Sequence, residues 1–288
     1  MGIIAKNLVQ MAEVQLTTFG KENAKVDAEL IFRHCFNLDK AGFFKLWGAE
    51  LDETAIEQYM QIIAVRASGV PLQHITGEQG FMGLTFAVDP EVLIPRQETE
   101  VLAGEVIKHI KERKKTCIVL DLGCGSGAIG ISIAKLCKNA KVVASDINAK
   151  AIELSKRNAK AIGVDDRMSF VRGDLFGPFK GLFRNDKFDI IVSNPPYIKS
   201  DIIPTLQVEV RDHEPLSALD GGVDGLIYYR EILEKAPMYL KKDGVLALEI
   251  GHDQAIEIME IAKMHRKFKN GKFIKDLTGK DRVMILYL

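Results

Sequence analysis

The first 69 residues carry apolar positions at helical spacing. One apolar stripe begins at Val26, just after Asn23, which can cap its helix, and a second follows Thr54 and Glu57, which are spaced as a capping box. Apolar residues three and four positions apart lie on one face of a helix, and such faces bury themselves against one another. We therefore predict a small N-terminal helical domain over residues 1–69.

The pattern changes after Gly69. Residues 73–88 alternate between apolar and polar positions around Met82 and Gly83, which is typical of a β-hairpin. We predict that residues 70–90 form a hairpin linker and that a second, larger domain occupies residues 91–288.

Strands and helices alternate from Cys117 onward. Short apolar runs rich in β-branched residues are followed by helical stripes, and two further strand-like runs flank a turn at Thr278 and Gly279. Such alternation predicts an α/β domain with a mostly parallel sheet, helices on both faces and a C-terminal antiparallel hairpin. The predicted strands cover residues 117–121, 141–146, 168–172, 188–193 and 245–250, and the predicted helices cover 127–138, 148–162, 226–240 and 253–266.

Composition narrows the class of protein. The 288 residues are 47% hydrophobic, and Lys+Arg and Asp+Glu balance at 39 each, so no global positive field indicates a nucleic-acid partner. The four cysteines form no CxxC pair and stand near no histidine cluster, so we expect neither a metal site nor a disulfide scaffold. Without a secretory leader or a long apolar run, the sequence predicts a globular cytoplasmic protein.

A glycine-rich loop separates the first strand of the α/β domain from its first helix. Glycines suit a sharp turn that a ligand must approach closely, because they have no Cβ. An acidic residue, Asp146, closes the next apolar run about twenty positions later, where it can accept hydrogen bonds from ribose hydroxyls. The candidate cofactor-binding residues of the loop are Gly123, Cys124, Gly125, Ser126 and Gly127.

The loop fits two cofactors. Gly125, Gly127 and Gly130 satisfy the dinucleotide pattern, so an NAD-dependent oxidoreductase stays open on glycine spacing alone. Asp121, at the end of the preceding strand, favours S-adenosylmethionine. A carboxylate there repels a pyrophosphate but attracts the sulfonium and ammonium groups of that molecule.

Two further stretches are candidate parts of the same site. After the third strand, Asp174 can accept a hydrogen bond from an adenine amino group, and Leu175 can lie on the ring. Ahead of the glycine loop, Arg96 and Glu98 stand in a charged turn at a helix start, from which they could border the site.

The strand at 188–193 ends in Asn194-Pro195-Pro196-Tyr197, a set of groups suited to a planar NH2 group. An amide nitrogen is a poor nucleophile because its lone pair is delocalised into the carbonyl. If the Asn194 side-chain oxygen and the Pro195 carbonyl each accept one N–H, the nitrogen is fixed and its developing positive charge is stabilised. Pro196 stiffens the loop, and Tyr197 is predicted to stack on the substrate. We therefore take Asn194, Pro195 and Tyr197 as the candidate catalytic residues.

Taken together, these motifs resemble the class I S-adenosylmethionine-dependent methyltransferases that act on planar amino or amide nitrogens. Several stretches of residues 70–288 are similar in particular to the HemK/PrmC family of release-factor glutamine N5-methyltransferases. The matching stretches are Pro71–Gly77, Leu93–Glu100, Asp121–Gly130, Ser193–Ile198, Glu214–Leu219, Gly221–Gly222, Asp224–Gly225 and Lys275–Arg282. Gln97 differs from the proline usual in the family, and Leu175 differs from the tryptophan of some members.

This resemblance implies a fold, an activity and partners. The fold is a Rossmann-like, mostly parallel seven-stranded sheet, and the activity is methylation of the glutamine in the Gly-Gly-Gln loop of peptide chain release factors. The N-terminal helices would help to grip that protein. Asn194 would contact the cofactor as well as the substrate. We expect a monomer that binds neither membrane nor nucleic acid.

The nearest alternative function is an amino-methyltransferase of nucleic acids, because the motif at 194–197 also suits an exocyclic base amine. The neutral charge and the lack of a basic, aromatic-rich recognition domain weigh against that alternative.

Overall fold

The computed structural model describes residues 2–113, 115–181 and 187–288, which divide into two compact units. The first unit contains the residues up to Glu78 together with Gln207–His213. The second unit contains Gln79–Leu206 and Glu214–Leu288. A short segment from the second half of the chain thus belongs to the N-terminal unit.

The first unit is helical, as the apolar stripes predict. Its core is formed by apolar side chains that the helices bury on their facing sides, among them Leu8, Ile31, Tyr59 and Ile63. Its helices are α1 (Ala5–Thr18), α2 (Ala24–Cys35), α3 (Lys40–Leu46), α4 (Glu53–Ala67), α5 (Leu72–Thr76) and, from the later segment, α9 (Val208–Arg211).

The capping hydrogen bonds of two helices differ from the sequence prediction. Asn23 occupies the N-cap position of α2, but its side chain makes no capping hydrogen bond. Helix α4 begins earlier than the predicted capping box, and the Ala55 N–H donates to the Asp52 carboxylate at 2.8 Å. Thr54 therefore lies inside the first turn, where it cannot act as the cap.

A charge cluster holds α9 to the helices of the first unit. Arg66 donates from Nε to Asp27 Oδ2 at 2.7 Å and from Nη1 to Glu209 Oε1 at 2.9 Å. Lys21 Nζ donates to the same Glu209 oxygen at 2.7 Å. Arg66 and Asp27 are buried, so the attraction between the two charges has to offset the hydration that each has lost.

This cluster makes the stability of the protein depend on pH. Burial alone would raise the pKa of Glu209, but hydrogen bonds from Lys21 and Arg66 outweigh it and lower the pKa from 4.5 to about 2. The contribution of ionised Glu209 to the free energy of unfolding is present above the pKa that Glu209 has in the unfolded state. It is lost as pH falls toward the pKa that Glu209 has in the folded state. After allowance for solvent screening, we expect Glu209→Gln to lower the free energy of unfolding by about 1–2 kcal/mol at pH 7.

Urea unfolding of the wild type and Glu209→Gln at pH 7, 5, 4 and 3 measures this effect. The difference in the free energy of unfolding between the two proteins should shrink steadily below pH 5. Glu57→Gln, which removes an exposed carboxylate on α4, is the control and should change little. A difference for Glu209→Gln that stays constant down to pH 3 would contradict the assignment.

A short hairpin begins where the first unit ends. Its strands are β1 (Glu78–Phe81) and β2 (Leu84–Ala87), and its turn residues Met82 and Gly83 both have positive φ, at 52° and 73°. This is the turn geometry that matches the twist of a two-residue hairpin. The hairpin is shorter than predicted, because the residues just after Pro71 form α5 and Gly77 ends that helix in the left-handed conformation.

The second unit is built on a seven-stranded sheet, and the predicted fold class is confirmed. The strand order is β5-β4-β3-β6-β7-β9-β8, in which β9 is antiparallel to both β7 and β8 and the other neighbouring strands are parallel. Its strands are β3 (Cys117–Leu122), β4 (Ala140–Asp146), β5 (Met168–Arg172), β6 (Phe188–Ser193), β7 (Leu240–Glu249), β8 (Asn270–Lys275) and β9 (Asp281–Tyr287).

Helices cover both faces of this sheet. Val119 and Leu120 are neighbours on β3 but belong to different buried clusters, because successive strand residues point to opposite faces. One cluster includes side chains of α6, α7 and α8, and the other includes side chains of α10 and α11. These helices are α6 (Thr99–Lys111), α7 (Ala128–Leu136), α8 (Ala149–Ile162), α10 (Ile227–Tyr239) and α11 (Ala255–Met264).

The strand order reverses direction between β3 and β6. Strands β4 and β5 follow β3 on one side, whereas β6 lies on the other side and is followed there by β7. In parallel sheets, ligands bind beyond the carboxyl ends of the strands at such a switch point. The two motifs singled out in the sequence follow these two strands.

Within residues 2–113, 115–181 and 187–288, no helix has the length and apolar character needed to cross a lipid bilayer.

Candidate active site

The ends of β3 and β6 are joined side by side. Leu122 pairs with Ser193 in the parallel register, and the Ser193 hydroxyl donates to the Leu122 carbonyl at 2.6 Å. A cavity of about 240 Å³ opens at this edge of the sheet. Most of the predicted site residues line it, namely Gly123, Cys124, Gly125, Ser126, Asp146, Asp174, Leu175, Asn194, Pro195 and Pro196.

Two predicted residues lie elsewhere among the described residues. Gly127 is the N-cap of α7, with φ of 83°, and stands in the chain between two residues that line the cavity. A Cβ on Gly127 would come within 2.6 Å of Ile131 Cδ1 and closer still to Ser155 Oγ. Gly127 therefore shapes the loop through backbone freedom and close packing.

The glycine loop is fixed by backbone hydrogen bonds. The N–H groups of Gly123 and Cys124 both donate to the Ser145 carbonyl of β4, at 2.8 and 2.9 Å. Gly123 and Gly125 have φ of 74° and 54°, in the left-handed region that favours glycine. The loop is thus held open on its cavity side, where a Cβ on Gly123 would meet no atom within 4 Å.

Asp146 is placed between the loop and α8. Its Oδ2 accepts from the Gly125 N–H at 2.9 Å, and its Oδ1 accepts from the Asn148 N–H at 2.8 Å. Burial raises the pKa of Asp146, and these backbone hydrogen bonds counter part of that rise. A carboxylate has further acceptor sites after two such bonds, so Asp146 can still receive the two hydroxyls of a ribose.

Asp121 does not face the cavity. It is completely buried, and its Oδ2 accepts from the Gly130 N–H of α7 at 2.8 Å. Burial raises its pKa to about 7, although the Gly130 bond lowers it. The structure thus does not give Asp121 the direct ligand contact that the sequence argument assumed.

The charges that line the cavity still favour a cationic ligand. Among the residues that the structure describes, the charged lining residues are the acids Glu91, Asp146 and Asp174 and the base Arg96. Arg96 is itself paired with the buried carboxylate of Glu214. An acidic cavity attracts a sulfonium or ammonium group and disfavours a pyrophosphate. The residues present therefore fit S-adenosylmethionine better than a dinucleotide.

The second motif presents acceptors at the cavity. The Asn194 side chain donates from Nδ2 to the Thr99 hydroxyl oxygen at 3.3 Å. Within the described part of the chain, no group donates to Asn194 Oδ1 or to the Pro195 carbonyl. Two acceptors of adjacent residues thus remain available for a planar NH2 group.

Tyr197 is anchored away from the cavity lining. Its hydroxyl donates to Glu249 Oε1 at 3.3 Å, and its backbone carbonyl accepts from Gln254 Nε2 at 3.1 Å. Burial, and then the charge of Glu249, raise its pKa. The predicted stacking of Tyr197 on a substrate stays a prediction, while the structure gives its hydroxyl an inward partner.

Four residues at or near the site were not predicted as site residues, namely Thr99, Glu214, Tyr228 and Glu249. Arg96 does border the cavity, whereas Glu98 is not among the described lining residues. Thr99 and Tyr228 line the cavity from the starts of α6 and α10. A usable signal existed for Glu249, because an acid that directly follows a buried apolar run repeats the pattern of Asp121 on β3.

Comparison with known proteins gives two family matches. Residues 98–208 match the family model described as "Methyltransferase small domain", and residues 7–77 match the one described as "PrmC N-terminal domain". The chain is 40% identical over 261 residues to the release factor glutamine methyltransferase of Clostridium acetobutylicum, covering 90% of each chain. It is 38% identical to the protein of that name from Moorella thermoacetica, covering 95% of this chain and 94% of the relative.

One solved structure similar to this chain shares its fold. The catalytic domain of hMettl16 superposes with a TM-score of 0.55 at 14% identity, covering 78% of this chain and 81% of that one. A release factor-specific protein-(glutamine-N5) methyltransferase from Alicyclobacillus acidocaldarius is 31% identical, with a TM-score of 0.43 over 70% of this chain and 98% of that one.

Proposed function

The chain belongs to the release factor glutamine methyltransferase family, and from that premise we propose that it methylates the glutamine side-chain nitrogen, N5, in the Gly-Gly-Gln motif of peptide chain release factors. The methyl donor in this proposal is S-adenosylmethionine. The observation that carries the proposal is that the glycine loop after β3 and the Asn194–Pro196 stretch after β6 line one cavity.

The donor would be held by residues of the β3, β4 and β5 ends. Asp146 would accept from the ribose hydroxyls, Asp174 from the adenine amino group, and the backbone of Gly123–Gly127 would approach the ligand closely. Leu175 would cover the adenine ring. S-adenosylmethionine supplies an electrophilic methyl group when it is bound.

The chain's own contribution to the chemistry is to orient and polarise the substrate amide. Asn194 Oδ1 and the Pro195 carbonyl would each accept one N–H of the glutamine carboxamide, which fixes the plane of the nitrogen. Both oxygens would stabilise the positive charge that grows on nitrogen as its bond to the methyl carbon forms and the bond of that carbon to the donor's sulfur breaks, with its electron pair left on sulfur. One proton then leaves the alkylated nitrogen to solvent, so no base is needed before transfer.

We also propose how the chain recognises its partner. The N-terminal helices, residues 1–69, would contact the release factor, residues 70–90 would link them, and residues 91–288 would carry out catalysis. The protein would act as a monomer without nucleic acid.

The test is incubation with methyl-labelled S-adenosylmethionine and a purified release factor, followed by peptide mapping. We expect label on the Gly-Gly-Gln peptide and none when that glutamine is replaced by asparagine. Duplex and single-stranded DNA and RNA, offered in parallel, should stay unlabelled. Label on nucleic acid but not on the release factor would refute the proposal.

The choice of cofactor is tested by calorimetry with the free protein. S-adenosylmethionine should bind with measurable heat, and NAD should not, because the cavity is acidic. Asp146→Ala should weaken binding of the methyl donor by about 10- to 100-fold, since two ribose hydrogen bonds to a charged acceptor are lost. Binding of NAD in preference to S-adenosylmethionine would favour the oxidoreductase.

A further inference from the structure

A buried carboxylate contacts Tyr197 outside the lining of the cavity. Glu249 ends β7, is 2% exposed and is not among the described residues that line the cavity. Its Oε1 accepts from the Tyr197 hydroxyl at 3.3 Å. Its Oε2 is buried, and no described group donates to it with ordinary hydrogen-bond geometry. Such a group is costly to bury and calls for an explanation.

Glu249 is connected to Asn194 through a single side chain. The Thr99 hydroxyl oxygen accepts from Asn194 Nδ2 at 3.3 Å. The same hydroxyl favours the ionised form of Glu249 and so lowers the pKa of that carboxyl, although it makes no hydrogen bond of ordinary geometry to Glu249 Oε2. A hydroxyl has one proton to donate. When the Thr99 oxygen accepts from Asn194, its own proton remains free for Glu249.

We propose that Glu249 is a positioning residue, which sets the direction of the Asn194 carboxamide through the Thr99 hydroxyl. The importance of this role for catalysis rests on the proposed function. An ionised Glu249 can only accept, so it draws the Thr99 proton toward itself. The Thr99 oxygen then accepts from Asn194 Nδ2, and Asn194 Oδ1 is left for the substrate N–H. A neutral Glu249 can donate to Thr99 instead, which frees the Thr99 proton for Asn194 Oδ1 and permits the opposite orientation.

The balance between these two states falls in an accessible pH range. Burial, the largest effect, raises the pKa of Glu249 to about 7, while the Thr99 hydroxyl, the charge of Arg282 and the Tyr197 hydroxyl lower it. Glu98 raises it by repulsion. The groups that face Glu249 from the packed elements are Glu98 and Thr99 at α6, Tyr197 after β6, Tyr229 on α10 and Arg282 on β9.

The direct test is independent of methyl transfer. In nitrogen-15-labelled protein without ligands, the side-chain NH2 resonances of Asn194, identified by their loss in Asn194→Ala, should shift with a midpoint near pH 7. Glu249→Gln should abolish this titration. Glu98→Gln, the matched control, should keep the titration and move its midpoint to lower pH. Asn194 resonances that stay unchanged between pH 5.5 and 8.5 in the folded wild type would overturn the proposal.

The second readout is the pH profile of turnover. In the wild type, kcat should fall as pH drops below 7, because Glu249 becomes neutral. Glu249→Gln should lower kcat by about 10- to 100-fold, with little change in KM for the substrate peptide, and should remove the acidic limb. Thr99→Ser keeps the hydroxyl and should retain the limb, whereas Thr99→Val should lose it.

The outcomes separate the two proposals. An NH2 titration with no methylation of release factor would support the role of Glu249 and refute the proposed function. Methylation by Glu249→Gln with the wild-type kcat and pH profile would refute the role of Glu249 alone.

Discussion

Replacing Asn194 by alanine is expected to abolish methyl transfer while leaving most of the cofactor affinity in place. The change removes the acceptor Oδ1 at the cavity and the donor Nδ2 that contacts Thr99 at 3.3 Å. Loss of one preorganised group at a reacting centre typically costs about 100- to 1,000-fold in kcat, and misplacement of the nitrogen adds to that. We therefore expect kcat to fall by at least about 1,000-fold, with binding of S-adenosylmethionine weakened by less than about 10-fold.

Two variants make this result specific. Asn194→Asp keeps the size and an oxygen acceptor but replaces the donor facing Thr99, so it should also be severely impaired. Asn270→Ala removes an exposed asparagine at the start of β8 and should have wild-type activity. Retention of more than about a tenth of wild-type kcat by Asn194→Ala would remove the proposed role of this residue.

Replacing Gly127 by alanine should be the most destabilising change in the glycine loop. Its φ of 83° is unfavourable for any residue with a Cβ, and that Cβ would overlap Ser155 Oγ and lie 2.6 Å from Ile131 Cδ1. Both neighbours are buried, so neither can move away freely. Dihedral strain and overpacking together predict a loss of about 3–5 kcal/mol in the free energy of unfolding.

The control for Gly127→Ala separates strain from overlap. Gly163, the C-cap of α8, has a similar φ of 74°, but its Cβ would meet no atom within 4 Å. Gly163→Ala should therefore lose only about 1 kcal/mol, from strain alone. Urea unfolding of both variants measures the difference. Equal losses of unfolding free energy in the two variants would mean that overlap with Ser155 and Ile131 contributes nothing to the effect of Gly127→Ala.

The periodic parts of the fold follow from local sequence. The β-branched run ending at Asp121 and the glycines after it are sufficient to predict a strand, a loop and a helix, because these features depend on residues close together in the chain. The strand order then places Leu122 beside Ser193, which brings the two predicted motifs to one cavity. The cavity-lining positions of Asp146 and Asn194 could thus be predicted from their places at strand ends.

The remaining features depend on partners far apart in the chain. The stacking of Tyr197 on the substrate stays a prediction, but no local pattern indicated that its hydroxyl contacts Glu249, 52 residues later. Asn194 and Thr99 are separated by 95 residues, so no local pattern could link them. The inward direction of Asp121 depends on the Gly130 N–H across the turn, which strand periodicity alone does not define. Composition and spacing identify residue types, whereas packing decides where their side chains point.

The placement of α9 in the first unit has a consequence for how the protein is made. Glu209 follows Arg66 by 143 residues, so the ribosome must add all of them before this charge cluster can be completed. At synthesis rates of about 5–20 residues per second, that takes roughly 7–29 s. During this interval, Arg66 has Asp27 but not Glu209 as a carboxylate partner, and the nascent N-terminal helices are less stable than they will be in the finished chain.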